Sequence, residues 1–134
     1  MREPHAITIR ASIIGHELGT STGLLEWFLS QKAQCRGFTH AIFSGLPTVV
    51  LAAIIRDIIV PRSELTGIYH VAAKPISKFD LLTLIAEIYR KRIDIIPEAK
   101  PVIDRSLIAD KFRNRTGYSA PGWSQLVQTM YSHR

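Results

Sequence analysis

The segment Leu46–Val60 is apolar at every position except Thr48, Arg56 and Asp57. It falls short of the ~20 consecutive apolar residues that a membrane span needs, and its charged pair interrupts it. The sequence therefore predicts a helix buried inside a folded domain, not an anchor. Gly45-Leu46-Pro47 reads as a turn whose proline precedes a helix running from Thr48 to about Ile59. Leu51, Ala52, Ile54, Ile55, Ile58 and Ile59 almost encircle that helix, which predicts packing on more than one side: between two layers, against another domain, or against a second copy of the chain.

The flanking segments supply the layers. Ala6–Ile14 alternates and then turns continuously apolar at Ile13 and Ile14, so it reads as a strand ending at Gly15. HELGTSTG (residues 16–23) reads as a loop, with Ser21 or Thr22 able to cap a helix from Leu24 to about Ala33 whose stripe is Leu24, Leu25, Phe28 and Leu29. Phe38–Ser44 is a candidate short strand, and Gly67–Ala73 a further one. Ser77 stands where it can cap a helix over Phe79–Tyr89, with Asp80 in the position of a weak capping-box partner. Ile93–Ile96 reads as a strand, Ser106 as the cap of a helix reaching about Arg115, and Gly117 as a left-handed stop. A last helix opens at Pro121 with Trp123, Leu126, Val127 and Met130 on one face. Strands alternating with helices predict an α/β domain over residues 1–134, with the one candidate joint between Pro97 and Val102.

Composition narrows the partners. Cys35 is the only cysteine, so no internal disulfide can form, and no signal-peptide pattern opens the chain; a reducing, cytoplasmic setting is expected. The net charge of +6 favours an anionic partner. Apart from Arg90-Lys91-Arg92 and Lys111–Arg115 the basic residues are scattered, and no aromatic side chains are interleaved with them as a base-stacking surface requires. A nucleic-acid-binding domain therefore rests on charge alone.

Catalytic and cofactor motifs are missing. Gly15, Gly19 and Gly23 follow a strand and precede a helix, but their spacing is not that of a dinucleotide-binding turn. There is no phosphate-loop Gly-Lys-Ser/Thr, no Gly-x-Ser-x-Gly and no His-Glu-x-x-His. No zinc-ligand spacing surrounds Cys35, so no metal site is expected. The histidines are dispersed, and none has a sequence neighbour that makes it a catalytic base.

Thr8-Ile9-Arg10 before a strand end, Gly-x-Pro-Thr before an apolar helix at Gly45–Thr48, Gly-x-Tyr-His-Val at Gly67–Val71, and Ile-Ser-Lys-x-Asp-Leu-Leu at Ile76–Leu82 occur in that order. In these segments, and in IDRSLIADKFRNRTGYSAPGWSQLV, the chain resembles the C-terminal part of the extended short-chain dehydrogenase/reductase family, and within it the dTDP-4-dehydrorhamnose reductase-like group. The resemblance implies an α/β fold made of the last strands of a Rossmann-like sheet plus the small substrate-binding lobe, without the Gly-rich cofactor half. It implies a nucleotide-sugar substrate and an NAD(P) cofactor for the whole enzyme. The family's Tyr-x-x-x-Lys pair is absent from these residues, so no catalytic residue and no cofactor binding are expected from this chain alone. By the same likeness, substrate contacts are expected at Ile14, Gly15 and His16, through the loop to Gly23, and at Arg105, with the N-terminal Rossmann half as the missing partner. On the residues alone, Arg105 reads equally as a diphosphate ligand or as the ion-pair partner of Asp104. Lys100-Pro101 stands where close family members carry Arg-Pro. The competing reading is a stand-alone, non-catalytic interaction domain.

Overall fold

In the computed structural model, residues 6–16 and 23–134 are described. The capping role assigned to Ser21 or Thr22 lies outside them, as does the HELGTSTG segment between His16 and Gly23.

The opening strand is split in two: β1 (Ile7–Arg10) and β2 (Ile13–Ile14). The break at Ala11-Ser12 lets the chain change partners, for β1 pairs in parallel with β6 (Gly67–His70) while β2 pairs in parallel with β5 (Leu46–Pro47). Helix α1 (Leu24–Ser30) stops short of the expected Ala33, and of its apolar stripe Leu25 and Phe28 are fully buried. The single strand expected near Phe38–Ser44 is two strands, β3 (Gln34–Phe38) and β4 (Ala41–Phe43), separated by the turn at Thr39-His40.

Helix α2 (Thr48–Ile54) runs on into a π-helical turn over Ile55–Ile59. Its apolar positions are unequally covered. Ile54 and Ile59 are buried, whereas Ile55 is 41% and Val60 71% exposed. Only one stripe of the helix meets the core, and the wider register of the π turn carries Ile59 inward with Ile54, so the encirclement written in the sequence is not met by packing within the described residues.

After β6 come β7 (Ile76–Ser77), α3 (Lys78–Ile88), β8 (Asp94–Glu98), β9 (Ile103–Asp104), α4 (Asp110–Thr116) and α5 (Trp123–Ser132). Ser77 caps α3 as expected, its Oγ accepting from the Asp80 N–H at 3.1 Å. β8 runs in parallel with β3 and passes through Pro97, which an edge strand tolerates because one side needs no N–H. Ser106 does not cap α4: the helix begins only at Asp110, and Ser106 instead donates both its hydroxyl and its backbone N–H to Asp104 Oδ1, at 2.6 and 2.9 Å. Gly117 ends α4 with φ of 80°, in the left-handed conformation that suits glycine.

The core gathers Leu25 and Phe28 of α1, Leu81, Leu82 and Ile85 of α3, Phe112 of α4, and Trp123, Leu126, Val127 and Met130 of α5, the whole predicted face of the last helix. Among the described residues no helix is long and apolar enough to cross a membrane.

Candidate functional site

The central strand β4 organises a cationic cleft. On one side it pairs antiparallel with β7 (Ile42 opposite Ser77), and on the other in parallel with β9 (Ile42 opposite Asp104). Each partner strand ends in a cation: Lys78 follows β7 as the first residue of α3, and Arg105 follows β9, its N–H donating to the Ile42 carbonyl at 3.3 Å. Sheet register therefore delivers Lys78 and Arg105 to the two flanks of one strand. They share a cavity of about 290 Å³ with Ser12, Phe43 and Ile103, and no lining residue is acidic. The carboxylate adjacent to Arg105 in sequence, Asp104, is taken up by Ser106, whose hydroxyl and then backbone N–H hold its pKa below the usual value. The Asp104–Arg105 pair that the sequence allowed is not formed. Nor does Arg105 sit just ahead of a helix, since α4 starts at Asp110.

The floor of this cleft is tightly built. The Ser12 carbonyl accepts the Leu46 N–H at 2.9 Å. Gly45 is pressed against both walls: a Cβ there would lie 2.3 Å from Phe43 Cζ and 2.7 Å from the Ser12 oxygen. Phe43 in turn packs against Trp123 with ring centroids 6.0 Å apart.

The other expected contact residues form a separate group. Ile14 is 3% exposed and belongs to the core, its carbonyl accepting from Thr48 Oγ1 at 3.5 Å. Gly15 faces the same threonine, 2.9 Å from a built Cβ. Gly23 precedes α1, and its carbonyl accepts the Trp27 N–H at 2.8 Å. His16 lies between two partners: Nδ1 is 3.3 Å from Glu26 Oε1, and Nε2 is 2.9 Å from the Tyr89 hydroxyl. An ionised carboxylate can only accept, so in the neutral ring Nδ1 carries the proton and Nε2 accepts from Tyr89. Burial pushes the Tyr89 pKa up to about 12, with Glu26 and Tyr131 acting in the same direction and Arg134 against it, so the hydroxyl stays a donor. Both ring nitrogens of His16 thus have a partner within the fold.

The structure thus brings Arg105 together with Lys78 and Ser12, neither of which stands out in the sequence, in a cavity that none of Ile14, Gly15, His16 and Gly23 lines. Lys78 carried no local signal beyond its place after a capping serine; only the β7–β4–β9 pairing puts it across from Arg105. Among the described residues no group of three or more His, Cys, Asp or Glu side chains is placed to hold a metal ion.

No protein-family profile and no curated protein matches the sequence. Solved structures do match. The dTDP-4-dehydrorhamnose reductase of Bacillus anthracis, in complex with NADP, superposes with a TM-score of 0.79 at 14% identity, covering 95% of this chain and 48% of that one. The chain has the fold of the C-terminal part of that reductase. A second dTDP-4-dehydrorhamnose reductase, from Clostridium acetobutylicum, matches at TM-score 0.77 and 11% identity, again over 95% of this chain and 48% of its own. The UDP-N-acetylglucosamine 4-epimerase of Bacillus cereus matches at 0.69 and 10%, over 95% and 47%. At such identities the likeness to the dTDP-4-dehydrorhamnose reductases is one of fold, and the chain spans about half their length, 48% of each. The mixed α/β architecture expected from the sequence is the one observed.

Proposed function

We propose that this chain is the nucleotide-sugar-binding part of an NAD(P)-dependent sugar-nucleotide reductase of the dTDP-4-dehydrorhamnose reductase type, and that it does not itself carry the hydride chemistry. The observation that carries this reading is the pair Lys78 and Arg105 on either flank of β4, in a cleft lined by no carboxylate. A diphosphate is doubly charged, and an ammonium plus a forked guanidinium match it in charge and in donors. Ile14, Gly15, His16 and Gly23 then act less as ligands than as the frame of the neighbouring wall. They fix where β2 ends and where α1 begins, while Ser12 of the same connection reaches the cleft.

The proposal leaves the cofactor to another polypeptide segment. A dinucleotide needs glycines at a strand end so that its pyrophosphate can approach the backbone. In this chain the missing side chains of Gly15 and Gly45 admit protein atoms instead, Thr48 Oγ1 in one case and the Phe43 ring in the other. With no Tyr-x-x-x-Lys either, proton and hydride transfer fall to a partner of the kind that makes up the remaining half of the matched reductases. Titration of dTDP-glucose into Arg105→Ala and Lys78→Ala tests the cleft. Each variant is expected to weaken binding at least about tenfold, since a charge-assisted hydrogen bond contributes ~1.5–3 kcal/mol. Unchanged affinity in both would refute it.

A further inference from the structure

A second cavity, of about 250 Å³, lies between the chain leaving β6 and the approach to α4, and it shares no lining residue with the Arg105 cleft. Buried Val71, Ala72 and Ala73 form one wall, Leu107 and Phe112 another, and Tyr118 with Ala120 closes the end. These walls are held in place. The Phe112 ring stands edge-on to both Tyr69 and Tyr118, at 5.9 and 6.1 Å between centroids. Trp123 Nε1–H donates to the Lys74 carbonyl at 2.7 Å, and the Leu107 N–H donates to the buried Ser44 hydroxyl at 2.8 Å.

The polar lining is Lys74, Ser106, Asp110, Arg113, Tyr118 and Ser119. The Tyr118 hydroxyl makes no hydrogen bond to another described residue, and burial pushes its pKa up, which keeps it a neutral donor. Lys74 and Arg113 are the lining cations and Asp110 is the lining carboxylate. Asp110 occupies one guanidinium nitrogen of Arg113 at 3.2 Å, which leaves the other donors of the fork. A concave, mostly apolar lining with a few polar side chains is the usual form of a small-molecule site.

Size selects the occupant. A cavity of about 150 Å³ lined by aliphatic and aromatic side chains already accepts benzene. The volume here holds one ring and its carboxylate. We propose that this cavity is a second binding site, selective for a single-ring aromatic carboxylate, with the ring against Ala72, Leu107 and Phe112 and the carboxylate toward Arg113, Lys74 and the Tyr118 hydroxyl.

The test is an amide NMR titration of the chain with benzoate, benzyl alcohol and benzylamine at constant ionic strength. Benzoate is expected to give saturable shifts confined to residues 71–75, 106–113 and 118–120, with the neutral and cationic probes at least about tenfold weaker. Arg113→Gln, a change on an exposed side chain, should weaken benzoate at least about fivefold and leave benzyl alcohol unaffected. Ala120→Leu, which fills the slot, should remove the shifts from all three probes. Arg105→Ala should leave the benzoate shifts in place. Equal response to the three probes, shifts located elsewhere, or no saturable response to benzoate overturns the proposal.

Discussion

His16 and Tyr89 are 73 residues apart in sequence, and their ring nitrogen and hydroxyl are 2.9 Å apart in space. The contact ties the end of β2 to the last turn of α3. Glu26 of α1 holds the other ring nitrogen, and Tyr131 of α5 stacks edge-on against Tyr89 at 4.8 Å. One histidine thus joins a strand end to two helices, and Tyr89 extends the contact to a third.

Tyr89 links this contact to pH. Its folded-state pKa, raised to about 12 from an ordinary value of 10, means that folding favours the neutral phenol. The resulting stabilisation is fully present below pH 10 and is lost as the pH rises toward 12. Urea midpoints measured from pH 9 to 11.5 are expected to fall for the wild type and to fall less steeply for Tyr89→Phe. At pH 7 that variant should lose about 1 kcal/mol with the hydrogen bond. Parallel pH profiles for the two proteins would contradict the assignment.

Gly45 and Gly122 make a contrasting pair. A methyl at Gly45 meets Phe43 and the Ser12 carbonyl at once, whereas at Gly122 nothing lies within 4 Å and φ is −66°. Gly45→Ala is expected to cost ~1–3 kcal/mol by overpacking. Gly122→Ala should be neutral or stabilise by up to ~1 kcal/mol through the unfolded chain. Thermal or urea unfolding separates the two; equal stabilities would show that the Gly45 contact relaxes freely.

How much of this was legible in the sequence depends on the range of the cause. The α5 face, the Ser77 cap and the Gly117 stop follow from periodicity and local backbone chemistry, and each appears where those predict. The split of the first strand, the separation of β3 from β4 and the late start of α4 come from pairing partners far along the chain, which no local window contains. Asp104 shows the same limit at short range. Its carboxylate had Arg105 and Ser106 as competing neighbours, and the β9 register settled the choice in favour of Ser106. The cleft was half legible: Arg105 stood out as a cation near expected substrate contacts, while Lys78 became its counterpart only through β4.

Cys35 is buried on β3, and desolvation raises its pKa, a shift that Lys91 only partly opposes. A thiol held protonated and covered is a poor nucleophile. Its reaction with a disulfide reagent at pH 8 is expected to be at least about tenfold slower in the native protein than in urea. Equal rates would place the thiol at the surface.

Leu126, fully buried, and Ile108, 73% exposed, lie near opposite ends of the packing scale. Leu126→Ala should cost ~2–5 kcal/mol, and Ile108→Ala no more than about 0.5 kcal/mol. Denaturant titration at constant m-value checks both.

The central claim is a grip on nucleotide-sugar without a cofactor site, and parallel calorimetric titrations of the wild-type chain with dTDP-glucose and with NADPH test it most directly. Saturable binding of dTDP-glucose and no measurable heat from NADPH is the expected result. Tight, stoichiometric NADPH binding, or no binding of dTDP-glucose, would contradict it.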